Sequence, residues 1–213
     1  MKINVEIIKK ALLHNPLKLE DLNEKELVKN MLTRRRLSRS SKIVINLAHK
    51  CEFTTGVMVY GSAYGELIDT VNILESIKNG ESVSPTSFQN SVYNTAASYH
   101  SIVQGNKAEI LTLSCGDNTS YSVMQQGALS LLKEKEVFVC CVEAMNFNGV
   151  ENLNKCANEL EYGVAFMIKR TEQKANSSVA IKKEKGVPAS LSWMKNLYDL
   201  CEAKENVTIE VEL

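Results

Sequence analysis

Between Ser84 and Leu132 the chain reads SPTSFQNSVYNTAASYHSIVQGNKAEILTLSCGDNTSYSVMQQGALSLL, and the order of its parts leaves few folds open. Pro85, between Ser84 and Thr86, starts a helix well, because its ring presets φ and it has no amide to leave unsatisfied in a first turn. Val92, Ala96, Ala97 and Tyr99 to Val103 recur at near-helical spacing and predict one helix, stopped by Gly105 and Asn106. Ala108 to Ser114, with apolar Ile110, Leu111 and Leu113, suits a buried strand. The chain then turns sharply through Cys115, Gly116, Asp117 and Asn118 into a second helix that begins near Thr119 and runs into Lys133-Glu134-Lys135-Glu136. A tight strand-to-helix turn exposes one side chain and aims the first free amides of a helix at the same point, which is where many enzymes place a nucleophile.

The rest of the chain supplies partners for that unit. Residues 2–8, KINVEII, alternate as a first strand does, and Leu17 to Leu32 contains an acidic helical segment with Leu19, Leu22, Leu27 and Met31 on one face. Gly56 to Tyr60 is a short β-branched run bounded by Gly61-Ser62, and Tyr64 to Lys78 repeats Leu67, Val71, Leu74 and Ile77 at helical spacing before Asn79-Gly80. Val137 to Val142, VFVCCV, is the least ambiguous strand. Gly163 to Lys169 and the terminal VTIEVEL complete the candidate sheet, the polar stretch Thr171 to Gly186 reads as an exposed connection, and Trp193 and Tyr198 belong to a short helix before the last strand. Strands alternating with helices imply an α/β layered fold in a single domain spanning residues 1–213.

Composition closes off several function classes. Twenty-five basic and twenty-five acidic residues cancel, so no overall field gathers nucleic acid or an anionic membrane. The N-terminus has no apolar core of signal-peptide length, and no run approaches the roughly 20 apolar residues of a membrane span, which together imply a cytoplasmic protein. The six cysteines, Cys51, Cys115, Cys140, Cys141, Cys156 and Cys201, form no CxxC pair and lie mostly in apolar surroundings. Buried free thiols follow, with no metal and no cofactor expected.

The residues Arg34-Arg35-Arg36-Leu37-Ser38, Tyr60-Gly61-Ser62, Gly65-Glu66-Leu67, Ser84-Pro85-Thr86, Phe88, Ser91-Val92-Tyr93-Asn94, Ser101-Ile102, Gly105 and Leu113 to Asp117 carry a family likeness. In them the chain resembles the N-terminal domain of the β-ketoacyl synthases of the thiolase superfamily, and more closely the chain-length factors of aryl polyene and flexirubin-type pigment clusters. From Ser84 to Asp117 the two patterns align without a gap. The resemblance implies a thiolase-like half: αβα layers around a mixed five-stranded sheet. A complete condensing enzyme stacks two such halves around a shared helix layer, and this chain has one.

The same overlay sets the family's catalytic cysteine position on Asp117. A carboxylate cannot form the thioester intermediate of condensation, Cys115 lies two residues earlier, and the family's histidine pair belongs to the half that is missing. His14, His49 and His100 match no such motif, and His100 reads as a polar residue on a helix face. The resemblance therefore implies a catalytically silent subunit that partners a ketoacyl synthase, or self-associates, and meets an acyl carrier protein in polyketide or fatty-acid-type synthesis. Two alternatives stay open: a stand-alone acyl-transfer or decarboxylating enzyme using Asp117 or Cys115, and a scaffold that binds an acyl chain or carrier protein. Asp117 also suits an N-cap, where a negative charge is favourable by about 0.3–1 kcal/mol.

Two further residue sets follow from the resemblance. Tyr64 occupies the place that closes the bottom of a partner's acyl tunnel, with Phe88, Leu67 and Ile68 as further wall. Against this stands an ordinary core aromatic at a helix start. The basic run containing Arg34, Arg35, Arg36 and Arg39 reads as a solvated helix start, as a docking site for an acidic carrier protein, or, with no aromatics interleaved, least readily as a nucleic-acid patch. The working state is expected not to be monomeric, since the Ala108–Ser114 strand pairs across a two-fold axis in the related fold.

Overall fold

The computed structural model describes residues 1–20, 22–147, 150, 159–180, 182 and 185–213. The apolar runs form β1 (Lys2–Asn15), β2 (Met58–Gly61), β3 (Ile110–Leu113), β4 (Glu136–Ala144), β5 (Glu161–Arg170) and β6 (Thr208–Glu212), joined in one sheet of order β3-β2-β4-β5-β1-β6. Strands β2, β3 and β4 are parallel, whereas β4–β5, β5–β1 and β1–β6 are antiparallel pairs. The sheet is mixed, as the family resemblance implies, with six strands rather than five. β1 is longer than its alternating start suggests because it carries two pairings at once: its first half meets β6, and a bulge at Ile8 lets its second half stay in register with β5.

Around the sheet lie α1 (Glu24–Leu27), α2 (Met31–Arg36), α3 (Arg39–Lys50), α4 (Leu67–Lys78), α5 (Pro85–Asn90), α6 (Thr95–Gln104), α7 (Thr119–Ser130) and α8 (Ser192–Ala203). The pleat of β4 divides the core. Val137, Val139 and Cys141 point into one apolar layer with Val123, Met124 and Ala128 of α7, while Phe138, Cys140 and Val142 point into another with Ile43, Val44 and Leu47 of α3 and Ala96 and Ala97 of α6. Gly127 lets α7 settle onto β4, since a Cβ there would come within 2.4 Å of the Val139 side chain. The far side of α7 is covered by this chain's own C-terminal segment: Leu191, Trp193, Met194 and Leu197 are buried in the same layer, and Tyr121 meets Trp193 edge-on at 5.4 Å. Each such side chain contributes roughly 1.5–3 kcal/mol of burial, so α8 closes the core on this face of the sheet.

Several boundaries differ from the sequence reading. The helix expected from Pro85 to Gln104 is two helices, α5 and α6, broken at Ser91 to Asn94. The Leu17–Leu32 segment forms only the one-turn α1 and the start of α2, and α4 begins at Leu67 rather than Tyr64. The strand expected from Ala108 to Ser114 is confined to Ile110–Leu113 and sits half-buried at the sheet edge. Part of the expected exposed connection also pairs: the Asn176 and Ser177 amides donate to the Thr208 carbonyl beside β6, and residues 181, 183 and 184 lie outside the described residues. Cys51, Cys140 and Cys141 are buried free thiols, Cys201 is half-buried, Cys115 is exposed, and Cys156 falls outside the described residues.

Candidate functional site

Because β2, β3 and β4 run parallel, their C-terminal ends open at one edge of the sheet, where α/β folds gather ligands. Three turns meet there: Gly61 to Gly65 after β2, Ser114 to Asn118 after β3, and the end of β4 at Glu143.

The turn after β3 is stitched by Thr119. Its hydroxyl accepts from the Cys115 amide at 3.0 Å and donates to the Gly116 carbonyl at 2.7 Å, and Gly116 takes the left-handed φ of +55° that the bend requires. Asp117 stands exposed within a short 3-10 turn, Gly116 to Asn118, that leads into α7. The N-cap of α7 is Asn118, one residue later than the capping reading of Asp117 places it, and Asn118 makes no side-chain cap.

The turn after β2 rests on a residue that sequence reasoning missed. Glu143 is fully buried at the end of β4 and accepts from the Ser62 hydroxyl at 2.7 Å, the Ala63 amide at 2.6 Å, the Tyr64 amide at 3.3 Å and the Ser190 hydroxyl at 2.7 Å. Burial raises its pKa, and those four donors oppose the rise. From the other side the Tyr93 hydroxyl donates to the Leu113 carbonyl at 2.8 Å and accepts from the Ser62 amide at 3.1 Å, tying β2 to β3. Gly65, at φ +60°, lies flat against the Tyr93 ring, where a Cβ would come within 3.0 Å. The available signal was the one carboxylate closing an otherwise apolar strand, VFVCCVE.

Of the expected tunnel residues, Tyr64 and Phe88 lie on the surface, 50% and 68% exposed, which corrects the core-aromatic alternative for Tyr64. Leu67 packs with Met145 and Phe147, and Ile68 packs on the core below α3. Helices α4 and α5 lie against one another, so the four residues share one region, yet α4 buries no residue at all. Its N-cap, Glu66, is buried and accepts from the Ser38 hydroxyl at 2.8 Å, which joins α4 to the N-terminus of α3. Burial pushes the Glu66 carboxyl up to about 7, with the Ser38 bond opposing and the nearby Asp69 adding to it.

The basic run divides. Arg39 is committed to an ion pair with buried Glu161 and also donates to the Leu19 carbonyl, so it is not a solvated docking residue. Arg34 donates to the Val28 carbonyl at 2.9 Å and is half-exposed, whereas Arg35 and Arg36 are exposed. The three histidines sit on β1, α3 and α6. His100 is buried, stacked on Phe53 at 5.2 Å, and burial lowers its pKa to about 4. His14 stacks on Tyr162 and reaches Glu159 at 3.3 Å, and His49 is exposed in the last turn of α3.

Comparison with known proteins bears on the family and the fold. Residues 14–209 match the family described as Beta-ketoacyl synthase, N-terminal domain. No curated protein matches the chain in sequence. Among solved structures, "Ketosynthase (ApeO) in Complex with its Chain Length Factor (ApeC) from Xenorhabdus doucetiae" aligns with a TM-score of 0.70 and 18% identity over 92% of this chain and 91% of that chain. "The ishigamide ketosynthase/chain length factor" aligns at 0.64 and 11% identity, covering 80% of this chain and 63% of that one. A type II polyketide synthase complex, "AntDE:AntF (apo)", aligns at 0.63 and 12% identity, covering 81% and 64%. The chain thus spans less than two thirds of the last two, and at these identities the likeness is one of fold.

Proposed function

Because this chain belongs to the family of the β-ketoacyl synthase N-terminal domain, we propose that it is a non-catalytic, chain-length-factor-like subunit that pairs with a full-length ketoacyl synthase in polyketide or fatty-acid-type, aryl polyene-like, synthesis. The observation that carries the reading is the turn after β3: the exposed side chain at the family's nucleophile position is the carboxylate of Asp117, while His14, His49 and His100 belong to β1, α3 and α6. Without a thiol at the nucleophile position and a proton-shuttling imidazole, the helix amides alone have no acyl intermediate to stabilise.

Two surfaces support the pairing. Among the described strands β3 pairs with β2 alone, which leaves a sheet edge for a second chain to extend. Beside the end of β2, Tyr64, Leu74, Ile77, Phe88 and Val92 are exposed apolar side chains on α4, α5 and their flanking turns, the kind of surface that marks a protein interface. Tyr64 and Phe88 then face a partner's acyl tunnel and close it, with Leu67 and Ile68 beneath them. Arg34, Arg35 and Arg36 offer an acidic carrier protein three charges at the end of α2. The test is the purified chain mixed with malonyl-carrier protein: no release of carbon dioxide above background is expected, and release at the rate of an active synthase contradicts the reading.

A further inference from the structure

The structure assigns Glu143 a role as the positioning residue for the Tyr64 turn: its buried carboxylate fixes the height of the tunnel wall and locks that wall to this chain's own Pro188–Leu191 turn. The inference rests on the tunnel reading of Tyr64 for its functional half and on geometry alone for its positioning half.

The geometry is that of a post. One oxygen of Glu143 takes the Ala63 amide and the Ser190 hydroxyl, and the other takes the Ser62 hydroxyl and the Tyr64 amide. Three consecutive residues of the turn are therefore held by a single side chain. Ser62 passes the restraint on by accepting from the Gly65 amide at 2.8 Å, so the backbone on both sides of Tyr64 is fixed while its ring stays half-exposed. A carboxylate suits this task because all its lone pairs accept, and Glu143 is the acceptor in all four of these bonds. The fourth donor widens the consequence. Ser190 belongs to the 3-10 turn Ala189–Leu191, which packs against the Gly116–Asn118 turn and against α7. The Tyr64 turn, the Asp117 turn and the segment covering α7 thus share one buried anchor.

Glutamine keeps the size of Glu143 but turns one acceptor oxygen into a donor facing groups that already donate. Serine-to-alanine at Ser190 removes a single bond and leaves the turn's own three in place, so it serves where the first variant folds poorly. In the free chain, hydrogen exchange followed by mass spectrometry or NMR is expected to speed up at least tenfold at Ala63 and Tyr64 in Glu143→Gln and by a smaller factor in Ser190→Ala, with the amides of β4 and β5 unchanged. In a complex reconstituted with a ketoacyl synthase, Glu143→Gln is expected to broaden the distribution of carrier-bound chain lengths. Exchange at Ala63 and Tyr64 equal to wild type in both variants overturns the positioning role. Lengths unchanged in Glu143→Gln, where Tyr64→Ala lengthens them, overturn its functional half. Lengths unchanged in Tyr64→Ala overturn instead the tunnel reading of Tyr64, and with it that same functional half, while the exchange result still decides the positioning role.

Discussion

At the scale of single residues, side chains whose role comes from neighbours close in sequence were legible, and those whose partner is far along the chain were not. Asp117 could be placed at the tip of a turn because Gly116 and Thr119 lie beside it. Arg39 could not be told from its basic neighbours, since its partner Glu161 is 122 residues away, and Glu143 gave no hint that Ser62 and Ser190 would converge on it. The burial of His100 against Phe53 is likewise a tertiary fact that its place in a helix does not show. Two predictions belong here. Asp117→Asn removes the charge and keeps the shape, so condensation by a reconstituted complex should stay within about threefold of wild type, because a non-nucleophile contributes no covalent step; a thousandfold loss with the fold intact contradicts the silent-subunit reading. Glu66 gives a pH dependence with a definite sign. Its folded pKa of about 7 lies above the ordinary value of 4.5, so the neutral acid is the form the folded chain prefers. Its contribution is fully present below about pH 4.5 and is lost as pH rises through 7, on the order of 3 kcal/mol in all. Glu66→Gln should therefore gain about 5 °C in Tm over wild type between pH 5 and pH 8. Parallel melting curves across that window remove Glu66 from the account.

At the scale of elements, periodicity found the strands and helices and misjudged where they stop and what they face. The α5–α6 break was hidden because Ser91 to Asn94 carries no proline or glycine; the tie of Tyr93 to Leu113 and Ser62 holds that turn, and neither partner is local. Helix α4 is the most informative case. Its three- and four-residue apolar spacing predicts a helix, and in the single chain the outer part of that stripe stays exposed, with Leu74 and Ile77 59% and 61% exposed while Leu67 packs with Met145 and Phe147. A stripe of that kind is expensive to expose and is explained by a partner surface. Leu74→Glu combined with Ile77→Glu should abolish co-purification with the synthase while leaving the melting temperature of the free chain within about 2 °C, since exposed substitutions change stability by roughly 0.5 kcal/mol or less. Retained association would move the interface elsewhere.

At the scale of the whole molecule, the layered fold was legible because alternation of strand and helix, reinforced by the family pattern from Ser84 to Asp117, fixes topology more firmly than it fixes boundaries. What covers the far side of α7 was not legible. Trp193 and Tyr198 marked a helix, and only packing shows that α8 and the Ala189–Leu191 turn seat against α7. The result is a chain that folds around one sheet and presents the edge strand β3, the α4–α5 face and the Tyr64 turn outward. Each two-carbon unit of an acyl chain needs about 2.5 Å of depth, so removing one aromatic ring from the wall makes room for about two units. The direct measurement is mass spectrometry of carrier-bound products made by a full-length ketoacyl synthase alone, with this chain, and with its Tyr64→Ala variant. The account predicts that the synthase depends on the chain for normal products and that Tyr64→Ala lengthens them by about one or two units at comparable turnover. The same product lengths with and without the chain, or with and without the Tyr64 ring, would contradict it.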